Sequence, residues 1–142
     1  MTFELHPRLK QDTLFIIDLS LSQLLLMNDK RFPWLVLVPR KMNISEIDEL
    51  TSSEQIKLMS EIVVLSKMFK QAYHVDKINI AALGNIVPQL HIHIVARYKT
   101  DSAWPSTVFG FQKPIAYSSE KVQIIIKEIK SLIPNFSVDG TN

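Results

Sequence analysis

Two stretches near the start of the chain, 13–18 (Thr-Leu-Phe-Ile-Ile-Asp) and 22–28 (Ser-Gln-Leu-Leu-Leu-Met-Asn), predict short strands. Asp18-Leu-Ser-Leu between them fits a hairpin connection, and Asn28-Asp29-Lys30 is a turn signal. Trp34 to Val38 is an unbroken apolar run, suited to a central strand covered on both faces. After Pro39 the period changes. Ser45-Glu-Ile-Asp-Glu-Leu predicts a helical turn, and Thr51 with Glu54 three residues later forms a capping-box signature. Ile56, Met59, Ile62, Val63, Phe69 and Tyr73 then recur at helical spacing, predicting the main helix over 52–74. Lys77 to Leu83 and Leu90 to Arg97 are strands, with a loop over 84–88; 98–117 is irregular. A last helix spans about 119–133, with Val122, Ile125, Ile126, Ile129 and Leu132 on one face and Pro134 helping to stop it. The predicted class is α+β: a mainly antiparallel sheet of about five strands, one long helix and a C-terminal helix.

The 142 residues fit one domain, 1–142, able to bury a core without staples. A net charge of +2 with scattered cations gives no phosphate-tracking stripe, so no nucleic-acid polymer is expected as partner. The absence of cysteine excludes thiol catalysis, disulfides and cysteine-ligated zinc. The N-terminus lacks a signal-peptide pattern, and no apolar run is long enough to cross a bilayer, so the expectation is a cytoplasmic protein without a membrane partner.

Chemistry concentrates in Gln89-Leu90-His91-Ile92-His93. Residues two apart in a strand share a face, with α-carbons roughly 6.5 to 7 Å apart. Gln89, His91, His93, Val95 and Arg97 therefore share one face, able to bind an anion, and Leu90, Ile92, Ile94 and Ala96 the other, toward the core. From spacing alone three readings stand: a catalytic pair, metal ligands that would need a further carboxylate or histidine, or ordinary structural histidines.

Pro88-Gln-Leu-His-Ile-His-Ile-Val95 resembles the histidine-triad (HIT) signature, in which three histidines alternate with apolar residues. Asn28, Pro33, the run Leu35–Pro39, Asn79, Gly84 and Trp104-Pro105 follow in the family's order over roughly residues 5–115. The pattern is most similar to the bacterial diadenosine-tetraphosphate-hydrolase-like branch. The resemblance implies a homodimer whose sheet continues across two subunits, and a nucleotide substrate. It further implies a middle histidine, His91, that attacks the α-phosphorus to form a nucleotidyl-histidine, which water then cleaves. His93 is implied as the phosphate ligand, and a protonated His93 would favour the anion. Asn28 matches the residue holding the ribose hydroxyls, with Asp29 as substitute if the loop is one residue short. Gly84 and Asn85 fall on the phosphate loop, whose N–H groups can stabilise phosphoryl charge. Asn79 matches a phosphate-side asparagine if one residue is deleted before the strand. Arg97 adds positive potential or is solvated, and Trp104 contacts a base or packs. No metal is required, and Mg²⁺ can accompany a polyphosphate.

The chain departs from the family at two positions. Gln89 replaces the first histidine, and Leu35, two after Pro33, stands where a fourth histidine often sits beside it. Gln89 is carried as a catalytic-site residue, but it cannot titrate. Leaving groups that depart as stable anions tolerate that loss best, so dinucleoside polyphosphates are expected over phosphoramidates. The alternatives are a nucleotide-binding module with little turnover and a nucleotidyltransferase.

Overall fold

The computed structural model describes residues 2–133. Its elements run α1 (Pro7–Asp12), β1 (Thr13–Asp18), β2 (Ser22–Met27), β3 (Trp34–Pro39), α2 (Ser52–Tyr73), β4 (Lys77–Ala81), β5 (Ile92–Arg97) and α3 (Ser119–Leu132). The strands form one antiparallel sheet in the order β1-β2-β3-β5-β4. This is the expected α+β arrangement. Every residue of β3 is buried, as its unbroken apolar run requires of a central strand.

α2 begins at the expected capping box. Thr51 Oγ1 accepts from the Glu54 N–H at 3.2 Å, and a Glu54 carboxylate oxygen accepts from the Thr51 N–H at 2.9 Å. It ends one residue early, because His74 turns into the left-handed region at φ 50° and caps it. α3 turns Val122 and Ile129 inward, while Leu132 is exposed and Ile133 is buried instead. Pro134 lies outside the described residues. α1 is unannounced by any hydrophobic period, since only Leu9 of its six residues is buried. Its signal is local: His6 caps it and Pro7 occupies the first helical position, where a missing N–H costs nothing.

The sheet separates two cores. One face, with Leu24, Leu35, Ile92 and Ile94, packs against α2 and α3 through Leu58, Leu65 and Ile129. The other, with Leu25, Trp34, Val36 and Val95, is covered by Leu9, Val87, Ala103 and Val108. The face expected to be mainly polar is thus apolar along much of its length.

Glu61 on α2 is fully buried beside Ser22 of β2, whose N–H donates to Oε2 at 3.3 Å, while Oε1 has no partner. Burial pushes its carboxyl up to about 7, partly offset by the Ser22 hydrogen bonds. The folded chain therefore holds a proton that the unfolded chain, at 4.5, has released, and stability falls as pH rises from about 4.5 to about 7. Glu61→Gln is expected to stabilise the fold by about 1–3 kcal/mol at pH 8 and by little near pH 4.5. Melting curves across that range check this; parallel pH profiles for the two proteins would contradict it.

Candidate active site

β5 is held between β3 and β4, with His93 opposite Val36 on one side and Ala81 on the other. Its alternation places Leu90, Ile92, Ile94 and Ala96 in the helix-side core. His91 and His93 belong to the opposite face, with ring centroids 4.9 Å apart and both side chains buried. The ladder to β3 ends at Leu37–Ile92, so His91 lies one residue before β5 rather than within it.

The two rings are fixed by different partners. His91 Nδ1 lies 2.7 Å from the Gln89 carbonyl oxygen, which can only accept. Nδ1 therefore carries the proton, and in the neutral ring Nε2 keeps its lone pair. Trp34 Nε1–H donates to His93 Nδ1 at 3.0 Å, so that nitrogen is unprotonated and His93 presents an Nε2–H donor. Burial, and then the neighbouring His91, push the His93 imidazolium down to about 3. A protonated His93, which would favour an anion, is thus disfavoured here: an indole N–H on Nδ1 and a buried environment favour the neutral ring. Trp34 and Phe109 pack edge-on against His93, at 5.6 and 5.0 Å between centroids.

Leu35 also departs from expectation. It pairs with Ile94 and faces the helix-side core, so it cannot neighbour Gln89 on the histidine face. Trp34, pointing to the opposite side, is the β3 residue whose side chain hydrogen-bonds His93.

A cavity of about 230 Å³ opens over both histidines, walled by Arg8, Leu9 and Asp12 of α1, by Met27, and by the 83–87 loop. Gly84 and Asn85 belong to that loop, and Gly84 has φ +70°, a left-handed conformation that strains any L side chain. Asn28 follows Met27, and its amide oxygen accepts from the Tyr117 N–H at 3.0 Å. Asp29 is turned inward onto Arg31, with contacts of 2.9 and 2.7 Å. Burial alone would raise the Asp29 carboxyl, but the Arg31 hydrogen bonds and charge hold it below its ordinary value.

Asn79 is likewise engaged elsewhere, its amide oxygen accepting from Arg97 at 2.8 Å. Arg97, 1% exposed, is neither solvated nor a lining residue of the cavity. It forks onto Asp101 at 2.8 and 3.0 Å and donates to the Ser106 carbonyl, with Trp104 stacked 5.5 Å from its guanidinium carbon. Gln89 faces the N-terminal segment: Oε1 accepts from the His6 N–H at 2.8 Å and Nε2 donates to the Glu4 carbonyl at 2.9 Å. Among the described residues, no group of three or more His, Cys, Asp or Glu gathers in a way that could hold a metal ion.

This arrangement has close counterparts, and a model of the HIT domain matches residues 8–100. The chain belongs to the HIT domain family. A histidine triad protein from Marinobacter aquaeolei VT8 superposes with a TM-score of 0.93 at 41% identity, covering 96% of this chain and 100% of that one. A histidine triad protein from Bradyrhizobium japonicum gives a TM-score of 0.90 at 46% identity, over 94% of this chain and 99% of that one. The bis(5'-adenosyl)-triphosphatase of Saccharomyces cerevisiae is 29% identical over 72 residues, 47% of this chain and 35% of the relative. The chain therefore spans about a third of the length of that curated relative. No described helix of this HIT domain is long and apolar enough to cross a membrane.

Sequence reasoning missed two contributors to the site, Trp34 and the α1 wall. The tryptophan opened an apolar run and read as core. The signal that announces α1, a histidine cap followed by proline, is too short to carry a period.

Proposed function

We propose that this HIT domain hydrolyses the phosphoanhydride of a dinucleoside polyphosphate or related nucleotide through a covalent adduct on His91. The observation that carries the reading is the hydrogen bond from His91 Nδ1 to the Gln89 carbonyl, 2.7 Å long, which leaves Nε2 as the nucleophilic nitrogen. Nε2 gives its lone pair to the α-phosphorus, and the bond to the bridging oxygen breaks, with the leaving nucleotide taking the electron pair. Water then attacks phosphorus, the P–N bond breaks with its pair returning to Nε2, and the water proton passes to solvent. His93 Nε2–H donates to a phosphoryl oxygen as a neutral group, and the Gly84–Asn85 loop supplies backbone N–H groups. Asn28 is assigned to the ribose through its amide nitrogen, its oxygen being engaged by Tyr117. The name of the yeast relative, bis(5'-adenosyl)-triphosphatase, supports this substrate class.

Gln89 spends both amide groups on backbone and offers no titrating proton to a leaving group. Phosphate leaving groups need that proton least. Measured kcat/KM is therefore expected to be higher on diadenosine tri- or tetraphosphate than on adenosine phosphoramidates, by on the order of 10-fold or more given what general acids contribute. A strong phosphoramidate preference would sink the reading.

Support for a homodimer comes from the outer edge of β4 and from Ile56, Met59 and Val63, exposed at helical spacing on α2. Light scattering is expected to give twice the 16.3 kDa chain mass; a monomer at micromolar concentration would contradict this.

A further inference from the structure

We propose that Arg8 recognises the phosphates beyond the one attacked, and that Gln89 holds it in place by clamping the segment leading into α1. This rests on the phosphoanhydride reading above and names the residue that selects a polyphosphate over a monophosphate.

A chain of phosphates carries several negative charges, and something in the cavity must meet them. Of the residues lining it, Arg8 is the permanent cation. His93 is buried, and its Nδ1 is occupied as acceptor by the Trp34 indole N–H, which favours the neutral ring. Arg31 and Arg97 are committed to Asp29 and Asp101. Arg8 is only lightly committed: its Nε donates to Asp12 Oδ2 at 2.8 Å, with the two side chains 54% and 40% exposed. An exposed pair of this kind is readily exchanged for a better anion, and the planar guanidinium suits two phosphate oxygens at once.

α1 is a short helix with little of its own to hold it, so its position depends on anchors. Leu9 is buried against the second core, and the Asp12 carbonyl accepts from the Asn28 N–H at 3.1 Å. The third anchor is Gln89. A carboxamide offers an acceptor and a donor side by side, matching a backbone N–H and C=O as a neighbouring strand would, whereas an imidazole carries its two nitrogens on divergent edges. Gln89 uses both groups on His6 and Glu4, immediately before α1. The position that would supply an acid thus fastens a cation beside the histidines. The leaving nucleotide departs with the bonding pair as an oxyanion, and the fixed charge of Arg8 stabilises it without a proton moving.

The test is calorimetric titration of the full chain with AMP and with an ATP analogue carrying methylene in place of the α,β-bridging oxygen. Arg8→Gln is expected to weaken the analogue by about 10- to 100-fold while changing AMP by less than about threefold, with an unchanged melting curve. Arg8→Lys should restore part of the loss, and Asp12→Asn should leave the analogue bound as tightly or tighter, which a merely structural ion pair would not do. Gln89→Ala should follow Arg8→Gln in direction. Equal losses on both ligands, or none on either, overturn the inference and leave the reading of the histidines standing. A wild-type chain that binds neither ligand overturns both.

Discussion

Replacing His91 with alanine is expected to lower kcat on diadenosine polyphosphates by on the order of 10⁴-fold or more, while nucleotide binding changes little. The asymmetry follows from the geometry. His91 is the ring whose Nδ1 is tied to a backbone carbonyl, so its contribution is a lone pair used in bond making. His93, the Gly84 loop and the α1 wall remain to hold the ligand. A large loss of affinity with kcat intact would instead assign His91 to binding. Turnover within tenfold of wild type would remove it from the chemistry.

The second large effect concerns the fold beneath the site. Arg97→Met is expected to destabilise the protein by about 3–5 kcal/mol, because it strands the buried Asp101 carboxylate. That carboxylate is 5% exposed in the ion pair, and it also accepts from the N–H groups of Tyr98, Ala103 and Trp104. Burial would raise the Asp101 carboxyl, but Arg97 and the N–H groups of Tyr98 and Ala103 keep it below its ordinary range. Asn79 and the Ser106 carbonyl lose their donors in the same step. Urea unfolding measures the loss, and Asp101→Asn added to Arg97→Met should recover part of it. Additive or near-neutral effects would show that the network contributes little. The same network ties down the segment that brings Phe109 against Trp34 and His93, so the variant should also loosen the histidine pocket.

What was legible in the chain was whatever local pattern encodes. Alternation gave β5 its two faces, the apolar run placed β3 at the centre, and Thr51 with Glu54 marked the start of α2. The HIT signature marks His91 and His93. Less legible was anything decided by partners distant in sequence. Trp34 reaches His93 across 59 positions, and Gln89 reaches His6 across 83. No local period announces either contact, yet the first fixes the tautomer of His93 and the second turns a missing acid into an anchor. Asn79 shows the same limit: its residue type suits phosphate, but Arg97, 18 positions on, engages its amide oxygen. Asp29 and Arg97 are committed by near neighbours instead, Arg31 and Asp101, in pairings that no hydrophobic period announces.

Catalysis through His91 requires one particular nitrogen, Nε2, to carry the nucleotide. Wild-type protein incubated with diadenosine polyphosphate radiolabelled in the adenylate, quenched in alkali and digested, should yield one labelled peptide containing His91. Its adduct should be the Nε2 isomer by phosphorus NMR or by chromatography against authentic standards. Nδ1 donates to Gln89 and has no lone pair to give. Label on His93, an Nδ1 adduct on His91, or turnover with no protein-bound nucleotide would contradict it.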